Sequence, residues 1–329
     1  MQQPNLILIT ADQLRGDCLG INGHPDLRTH FLDHLAARGV NFRQARTSCP
    51  VCIPARRSLL SGLHVGTHGL NRNKEADPFR PPATLPGLLA RAGYQTQLIG
   101  KFHVSIPGER LGFDHIIQSE TPNDRRHSAN QRRNDYADWF DRVSDAPHTL
   151  YQGIMSNDRS SRPWPLPEHH HHTNWVTEEA VRFLGTTRDP SAPFFLHLSY
   201  WAPHQPAIPP QCYYDRYAEP VWEPRIGSWV PAGEARPGLA LSAQRGPFTR
   251  RDMRDHARGY FGLINHLDDQ LNALFDRWSC SRLYDRSRPT WICFTADHGE
   301  QLGDHHLFRK CAPYEGSQRI PFILAPLHG

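Results

Sequence analysis

The residues that most clearly carry chemistry lie at positions 52–62, in the run Cys-Ile-Pro-Ala-Arg-Arg-Ser-Leu-Leu-Ser-Gly. Cys52 opens a five-position pattern whose other members are Pro54, Arg56, Leu60 and Gly62. Cys49 and Cys52 also form a CxxC pair, which elsewhere serves redox exchange or half of a zinc site. No second CxxC or CxxH follows. The longer pattern is far more restrictive than the lone CxxC pair, and Cys49 is predicted to be a small buried hydrophobic residue.

A second group of polar side chains follows two apolar runs that have the composition of buried strands. Asp12 and Gln13 come just after the run 5–10, and Asp297 and His298 come just after the run 290–295. Together they offer mainly hard oxygen ligands with one nitrogen, which suits Ca²⁺ or Mn²⁺ better than a structural zinc. Taken alone, each pair would also fit a strand-end cap or a surface turn.

Cations and imidazoles make up the third group. Lys101 and His103 follow the run 96–100, His204 lies between two prolines in Pro-His-Gln-Pro, and Lys310 comes thirteen residues after Asp297. Cleavage of a charged ester needs cations around the developing negative charge and a proton for the departing oxygen. Most of the 21 histidines must be ordinary hydrogen-bonded residues, but these two stand within motifs.

The elements that must position these side chains alternate between strand-like and helix-like patterns. Apolar runs predict strands at 5–10, 96–100, 194–200, 290–295 and 321–325, and helical periodicity predicts helices near 28–38, 85–92, 175–184 and 251–278. This alternation is typical of an α/β fold, in which ligands bind beyond the carboxyl ends of the strands. Regions 119–168 and 203–248 lack clear periodicity and are predicted to be long loops over that face.

Composition excludes several classes of partner. The 329 residues carry 37 Lys and Arg against 33 Asp and Glu, dispersed along the chain, so we expect no nucleic-acid partner. No stretch approaches the ~20 apolar residues needed to span a bilayer, and no basic leader precedes an apolar segment, so we expect no membrane partner. Seven thinly spread cysteines favour a reducing compartment, and the predicted location is cytoplasmic.

In this order, the three groups resemble the sulfatase family of the alkaline phosphatase superfamily, over residues 5 to about 326. The resemblance implies an alkaline-phosphatase-like core, with a mixed, mostly parallel sheet flanked by helices, and a single catalytic domain over residues 1–329. It also implies that a formylglycine-generating enzyme converts Cys52 to formylglycine, whose hydrated aldehyde is the nucleophile. The expected activity is hydrolysis of a small-molecule or saccharide sulfate ester to sulfate and an alcohol.

The same resemblance assigns a role to each site residue. Asp12, Gln13, Asp297 and His298, with the modified Cys52, would hold Ca²⁺, and Mn²⁺ or Mg²⁺ are alternatives. Arg56 and Lys101 would stabilise the hydrate and the bound sulfate. His103 would take a proton from the hemiacetal to release sulfate, and His204 and Lys310 would serve the leaving oxygen. Asn73 would contact sulfate, although Asn71 stands close enough to be the alternative.

Departures from the family pattern leave alternatives open. Asp-Gln and Asp-His, where many sulfatases have Asp-Asp and Asp-Asn, look more like the choline-sulfatase and phosphonate monoester hydrolase branch. A phosphonate or phosphate diester hydrolase is therefore the second hypothesis, and His103 favours the sulfatase. Family members usually continue into a C-terminal subdomain, which this chain is expected to lack, exposing an apolar surface. A non-catalytic remnant that binds sulfate esters or metal is the third hypothesis.

Two further features stay open at the level of sequence. The four histidines at 169–172 are predicted to form a solvated loop at the entry to a helix, and the alternatives are that they reach over the substrate pocket or bind a metal adventitiously. An oligomer is compatible with the sequence, which does not specify one.

Overall fold

A seven-stranded sheet forms the centre of the computed structural model, which describes residues 2–74, 77–104, 109–120, 134–145, 157–226, 244–245 and 249–327. The strands that it describes are, in chain order, β1 (Asn5–Asp12), β2 (Val40–Asn41), β3 (Gln95–Lys101), β4 (His115–Ser119), β5 (Phe194–Pro203), β6 (Gln244–Arg245), β7 (Thr290–Ala296), β8 (Leu307–Phe308) and β9 (Phe322–Pro326). The large sheet has the order β2-β9-β7-β1-β5-β3-β4, and β6 and β8 form a separate antiparallel pair.

The sheet is mixed but mostly parallel, as predicted. β1 runs parallel to both β5 and β7, and β3 runs parallel to β5 and β4, whereas β9 is antiparallel to β7 and β2. Every residue of β5 is buried, and β1 is buried along almost its whole length. Central parallel strands covered on both faces read as such continuous apolar runs, which is why they are visible in the sequence.

Helices cover both faces of the sheet. They are α1 (His30–Ala37), α2 (Cys52–Ser61), α3 (Val65–His68), α4 (Leu85–Arg91), α5 (Asp135–Val143), α6 (His172–Arg182), α7 (Gln211–Asp215), α8 (Arg250–Ser279) and α9 (Glu315–Gln318). The larger core lies on the face packed by α1, α6 and α8, and a smaller core lies on the face packed by α2 and α4. Among the helices of the described segments, none is long and apolar enough to cross a membrane.

The long helix α8 illustrates how the sequence sets these elements. A capping box between Thr249 and Asp252 satisfies the first backbone N–H groups, so the start of the helix is well defined. Its buried stripe includes Ile264, Leu271 and Trp278, spaced by seven residues along the face that packs on the sheet. The predicted helix at 251–278 is therefore confirmed to within a residue.

Helix α5 corrects one prediction, because region 119–168 was expected to be loop. Asn134 caps the helix by accepting from the N–H of Ala137, and Tyr136 and Phe140 are fully buried one turn apart. The apolar pair is flanked by acidic and basic residues, so the periodic segment is too short to stand out. Region 203–248 likewise contains α7 and β6, and most of the rest of both regions lies outside the described residues.

Apolar side chains are exposed on one face near the β2 edge of the sheet. Val40 pairs with Leu324, which pairs with Cys293, and Trp291 lies two residues from Cys293 on the same face. Val40, Phe42, Trp291 and Leu324 are between 36% and 53% exposed. These four side chains form an exposed apolar strip along that edge.

Candidate active site

The three groups of predicted site residues meet at the carboxyl edge of the sheet. Asp12 ends β1 and Asp297 follows β7, and these strands are neighbours paired in parallel as far as Ala11 and Ala296. On the other side of β1, His204 follows β5, and Lys101 ends β3. Because parallel strands finish at the same edge, residues far apart in sequence come together there.

Helix α2 brings Cys52 to this edge, and the spacing of the residues in its motif has a geometric basis. Cys52 is the first helical residue and Pro54 lies in the first turn, where a backbone N–H has no helical partner in any case. Arg56 is one turn later, on the same side as Cys52. Gly62 ends the helix in the left-handed region, with φ 69°, and its N–H donates to Ser58 O.

Four of the predicted metal ligands form a buried cluster. One ligand atom each from Asp12, Cys52, Asp297 and His298 lies within 4.8 Å of all the others. His298 Nδ1 is 3.0 Å from Gly299 O, which directs Nε2 toward the cluster, 3.2 Å from Cys52 Sγ. Asp12 Oδ1 is buried and has no hydrogen-bond partner in the described residues, so it is free to bind an ion.

Arg56 and Lys101 hold the two carboxylates of this cluster. Arg56 donates to Asp297 Oδ2 at 2.8 Å and to Asp12 Oδ2 at 3.3 Å, and also to Lys101 O and Ser199 Oγ. Lys101 donates to the same Asp12 oxygen. These bonds occupy four of the five guanidinium N–H groups, so Arg56 mainly orients the carboxylates.

Lys310 connects Cys52 to the other side of the site. Its ammonium donates to Cys52 Sγ at 3.0 Å, to Gln13 Oε1 at 2.8 Å and to His204 Nε2 at 2.7 Å. His204 Nδ1 lies 2.6 Å from Gln205 O, which fixes the ring with Nε2 facing Lys310. Lys310 thus bonds to Cys52, to the predicted metal ligand Gln13 and to His204, the other residue predicted to serve the leaving oxygen.

His103 and Asn73 lie around Cys52. The side chain of His103 is among the groups that lower the pKa of the Cys52 thiol, and its backbone N–H donates to Glu120 Oε1 at 3.2 Å. Asn73 is exposed, and its Oδ1 accepts from the N–H of Ile53 at 3.1 Å, so it caps α2 beside Cys52. Asn71 instead has its backbone oxygen near Cys49 Sγ.

The electrostatics of the site favour anionic groups. Burial alone would raise the pKa of the Cys52 thiol, but Lys310 and Lys101 outweigh burial and hold that pKa well below its ordinary value. Burial likewise raises the pKa of Asp12, but Lys101, His204 and Arg56 together lower it. Burial and Lys310 together lower the pKa of His204 to about 4. A site that keeps Cys52 and Asp12 ionised is suited to binding a cation and an oxyanion side by side.

The comparisons with known proteins agree with this geometry. The sulfatase family model matches residues 4–327. This chain belongs to the sulfatase family. It is 35% identical over 332 residues to an arylsulfatase of Clostridium perfringens, and the match covers 98% of this chain and 68% of that protein.

Other relatives show the same relation. A choline-sulfatase of Rhizobium meliloti is 28% identical over 334 residues, covering 98% of this sulfatase and 62% of that protein. A phosphonate monoester hydrolase of Agrobacterium radiobacter has the same fold, with a TM-score of 0.76 at 23% identity, and the match covers 98% of this chain and 68% of that one. The chain therefore spans about two thirds of the length of the relatives it matches, and its core has the alkaline-phosphatase-like fold predicted from its motifs.

Several residues that support the site were not predicted from the sequence of this sulfatase. Ser199 accepts from Arg56, and the ring of Trp201 lies 4.1 Å from Lys101 Nζ. Gln205 and Glu300 hold the amide of Gln13. Gln205 and Glu300 lie within the motifs that contain His204 and Asp297, but nothing in the sequence showed that their side chains point into the site.

The histidine run differs from the predicted solvated loop. His171 and His172 are buried, and His171 caps α6 by accepting from the N–H of Thr173. His172 Nε2 lies 2.7 Å from Ser119 Oγ, and its ring packs edge-on against Tyr136. The prediction was wrong for these two residues because α6 begins at His172, three residues before the helix predicted near 175–184, whereas His169 is exposed.

Proposed function

We propose that this chain is the catalytic domain, over residues 1–329, of a formylglycine-dependent sulfatase that hydrolyses a sulfate ester to sulfate and an alcohol. One observation carries the proposal. Cys52 is only 2% exposed and lies where Lys310, His103, His298 and the Asp12 carboxylate converge. A resting thiol that is buried among cations and metal ligands has no evident redox partner, whereas an oxygen nucleophile there would face both an ion and a proton source.

The proposed cofactor is Ca²⁺, with Mn²⁺ or Mg²⁺ as alternatives. The donor set fits such an ion, because it combines two carboxylates, one imidazole and the side chain at position 52, and because Asp12 Oδ1 has no other partner. Gln13 would add its amide oxygen. When bound, the ion would offset the negative charge that builds on the sulfate oxygens.

The residues of the chain divide the remaining work. Hydrated formylglycine at position 52, made by a formylglycine-generating enzyme, would supply the attacking oxygen. Lys101 and the remaining N–H of Arg56 would stabilise the sulfate group, and Asn73 would contact it from the rim. Lys310 and His204 share a hydrogen bond beside position 52 and would deliver the proton to the leaving oxygen. His103 would then take the proton that lets sulfate depart.

A phosphonate or phosphate diester hydrolase that uses the same site is the second candidate. It is favoured by structural neighbours that include phosphonate monoester hydrolases. His103 beside the Cys52 thiol favours the sulfatase, because it gives the hemiacetal a base. The alcohol would be a small molecule or a saccharide, as in relatives named choline-sulfatase and ulvan-active sulfatase. A cytoplasmic location remains a prediction, and it accords with seven cysteines that are all free thiols.

The test combines maturation and turnover. The chain would be expressed with a formylglycine-generating enzyme, the peptide that carries residue 52 would be identified by mass spectrometry, and choline, aryl and sugar sulfates would be assayed beside a phosphonate monoester. Cys52→Ala is expected to reduce turnover roughly 10³-fold or more, with an unchanged melting temperature. Cys49→Ala is the matched control and should remain active, because Cys49 contacts no site residue among the bonds described.

Three results would contradict the proposal. Sulfate-ester turnover that survives in Cys52→Ala would remove the nucleophile assignment. Faster turnover of the phosphonate than of every sulfate would favour the second candidate. An unmodified, inactive chain with the fold intact after co-expression would support the non-catalytic hypothesis instead.

A further inference from the structure

Beneath the site, Gln13 is held by two buried polar side chains that have no assigned role. Its Nε2 donates to Gln205 Oε1 at 3.2 Å and to Glu300 Oε2, while its Oε1 accepts from Lys310 at 2.8 Å. Gln13, Gln205 and Glu300 are all fully buried. The direction of the Gln13 amide is therefore set on both sides, with its nitrogen toward Glu300 and its oxygen toward Lys310, which also donates to Cys52.

Glu300 is the group that fixes this direction, because both of its carboxylate oxygens accept hydrogen bonds from neighbouring N–H donors. Its Oε2 accepts from Gln13 and also from Gln205 Nε2 at 3.1 Å. Its Oε1 accepts from the backbone N–H groups of Leu302, at 3.0 Å, and Arg309. Both oxygens thus face donors only, and the backbone anchors the carboxylate in the segment that precedes Lys310.

The direction matters because a glutamine can turn either its oxygen or its nitrogen toward a metal, and only the oxygen binds one. We infer that Glu300 is a positioning residue, supported by Gln205, which keeps the Gln13 amide oxygen turned toward the metal site. This inference rests on the metal site proposed above. It also explains why a carboxylate, costly to bury, lies here rather than an amide.

An amide at position 300 would create a conflict that can be worked out atom by atom. In Glu300→Gln, the new Oε1 would keep accepting from Leu302 and Arg309, so the new Nε2 would face the donor nitrogens of Gln13 and Gln205. Turning both the Gln13 and the Gln205 amides over relieves that conflict at position 300, but it turns the Gln13 nitrogen toward Lys310 and removes the Gln13 oxygen from the metal site. We expect Ca²⁺ affinity to fall roughly 10- to 100-fold, the range found when groups that orient metal ligands are removed.

The exchanged pair Gln13→Glu with Glu300→Gln provides the rescue. The carboxylate at 13 accepts from the new amide at 300 and still offers an oxygen to the metal, and the net charge is unchanged. Ca²⁺ affinity in the double variant should return to within about threefold of wild type, an order of magnitude above Glu300→Gln alone. Because a carboxylate at 13 is itself a stronger Ca²⁺ ligand than an amide, Gln13→Glu alone is measured beside the pair, and rescue means that Gln13→Glu raises the affinity of Glu300→Gln more than it raises that of wild type.

The experiment measures the Ca²⁺ dissociation constant of the full chain by isothermal titration calorimetry, with melting temperatures in chelator and without. Weak binding by Glu300→Gln and recovery in the exchanged pair support the inference. The inference would be overturned if Glu300→Gln bound Ca²⁺ with wild-type affinity. It would also be overturned if the exchanged pair folded but bound Ca²⁺ no more tightly than Glu300→Gln. If neither variant folds, a crystal structure of the wild type with Ca²⁺ decides, since Gln13 Oε1 must then be a ligand.

Failure of the proposed metal site can be distinguished from failure of the positioning role. Wild-type chain that binds no Ca²⁺, Mn²⁺ or Mg²⁺ would remove the metal site itself. Wild-type binding that is lost in Asp297→Asn but untouched in Glu300→Gln would leave the metal site standing and remove only the positioning role.

Discussion

Two buried histidines should make this protein unusually sensitive to mild acid. Burial, together with Lys101, lowers the pKa of His172 to about 3, and burial, together with Arg56, lowers the pKa of His197 to about 3. Both lie away from the metal ligands, with His172 bonded to Ser119 and His197 to Thr10. The cations of the active site thus help to keep both rings neutral in the folded chain.

The sign and size of the effect follow from proton linkage. Below about pH 6.5 the unfolded chain protonates each histidine, whereas the folded chain does not until about pH 3. The stability that the two neutral histidines contribute is therefore fully present above about pH 6.5, and it is lost as the pH falls toward about pH 3. Each ring removes about 1.4 kcal/mol of unfolding free energy per pH unit within that window, so the two together remove about 3 kcal/mol per pH unit.

Urea unfolding between about pH 6 and about pH 4 measures this slope by linear extrapolation. His197→Gln or His172→Gln should each reduce the slope by about 1.4 kcal/mol per pH unit, whatever its effect on stability at neutral pH. His30→Gln is the matched control, because His30 is exposed and its removal should leave the slope unchanged. If both variants at buried positions keep the wild-type slope, the reasoning is wrong.

Three further predictions concern the site and its frame. Activity should stop in chelator and return with Ca²⁺ or Mn²⁺, but Asp297→Asn should not recover at ordinary metal concentrations; full activity after exhaustive chelation would mean that the metal site is misassigned. His204→Ala should slow esters with poor leaving groups far more than activated aryl sulfates, whereas His103→Ala should give a burst and a sulfated peptide at position 52; uniform losses across leaving groups would remove both roles. Gly100→Ala should lower the unfolding free energy, measured in urea, by about 1–3 kcal/mol more than Gly93→Ala does. Both glycines have positive φ, but of the two only Gly100 would place a Cβ 2.1 Å from a backbone oxygen, that of Ser199. Equal losses in the two variants would refute this close approach.

Much of the architecture could be predicted because the central strands are buried on both faces. A strand such as β5 has no solvent side, so its apolar run survives in the sequence as an uninterrupted signal. The two-residue strand β2 and the short helix α5 gave no such signal, because each contributes only a few buried side chains among polar neighbours. Periodicity needs several turns before it exceeds chance.

The candidate site was predictable for a different reason. Asp12, Asp297 and His204 stand immediately at strand ends, so their position in sequence already specifies an edge of the sheet. The residues that were missed act one step farther from the chemistry. Glu300 and Gln205 matter through the direction of a neighbouring amide, and that direction depends on which donors face which acceptors in three dimensions.

Arg56 was predicted from its motif and also orients neighbouring side chains, and both properties follow from its four-residue separation from Cys52. Residues four apart lie on the same side of a helix, so Cys52 at the first position of α2 places Arg56 on its own side, one turn along. There the guanidinium reaches the two carboxylates at the ends of β1 and β7 and a hydroxyl on β5. Lysine could keep the charge but could not span three strands from one planar group. The four-residue spacing in the motif is thus one helical turn, and it places Arg56 where its guanidinium reaches the ends of neighbouring strands. In this way the spacing fixes the position of Cys52 relative to the two carboxylates.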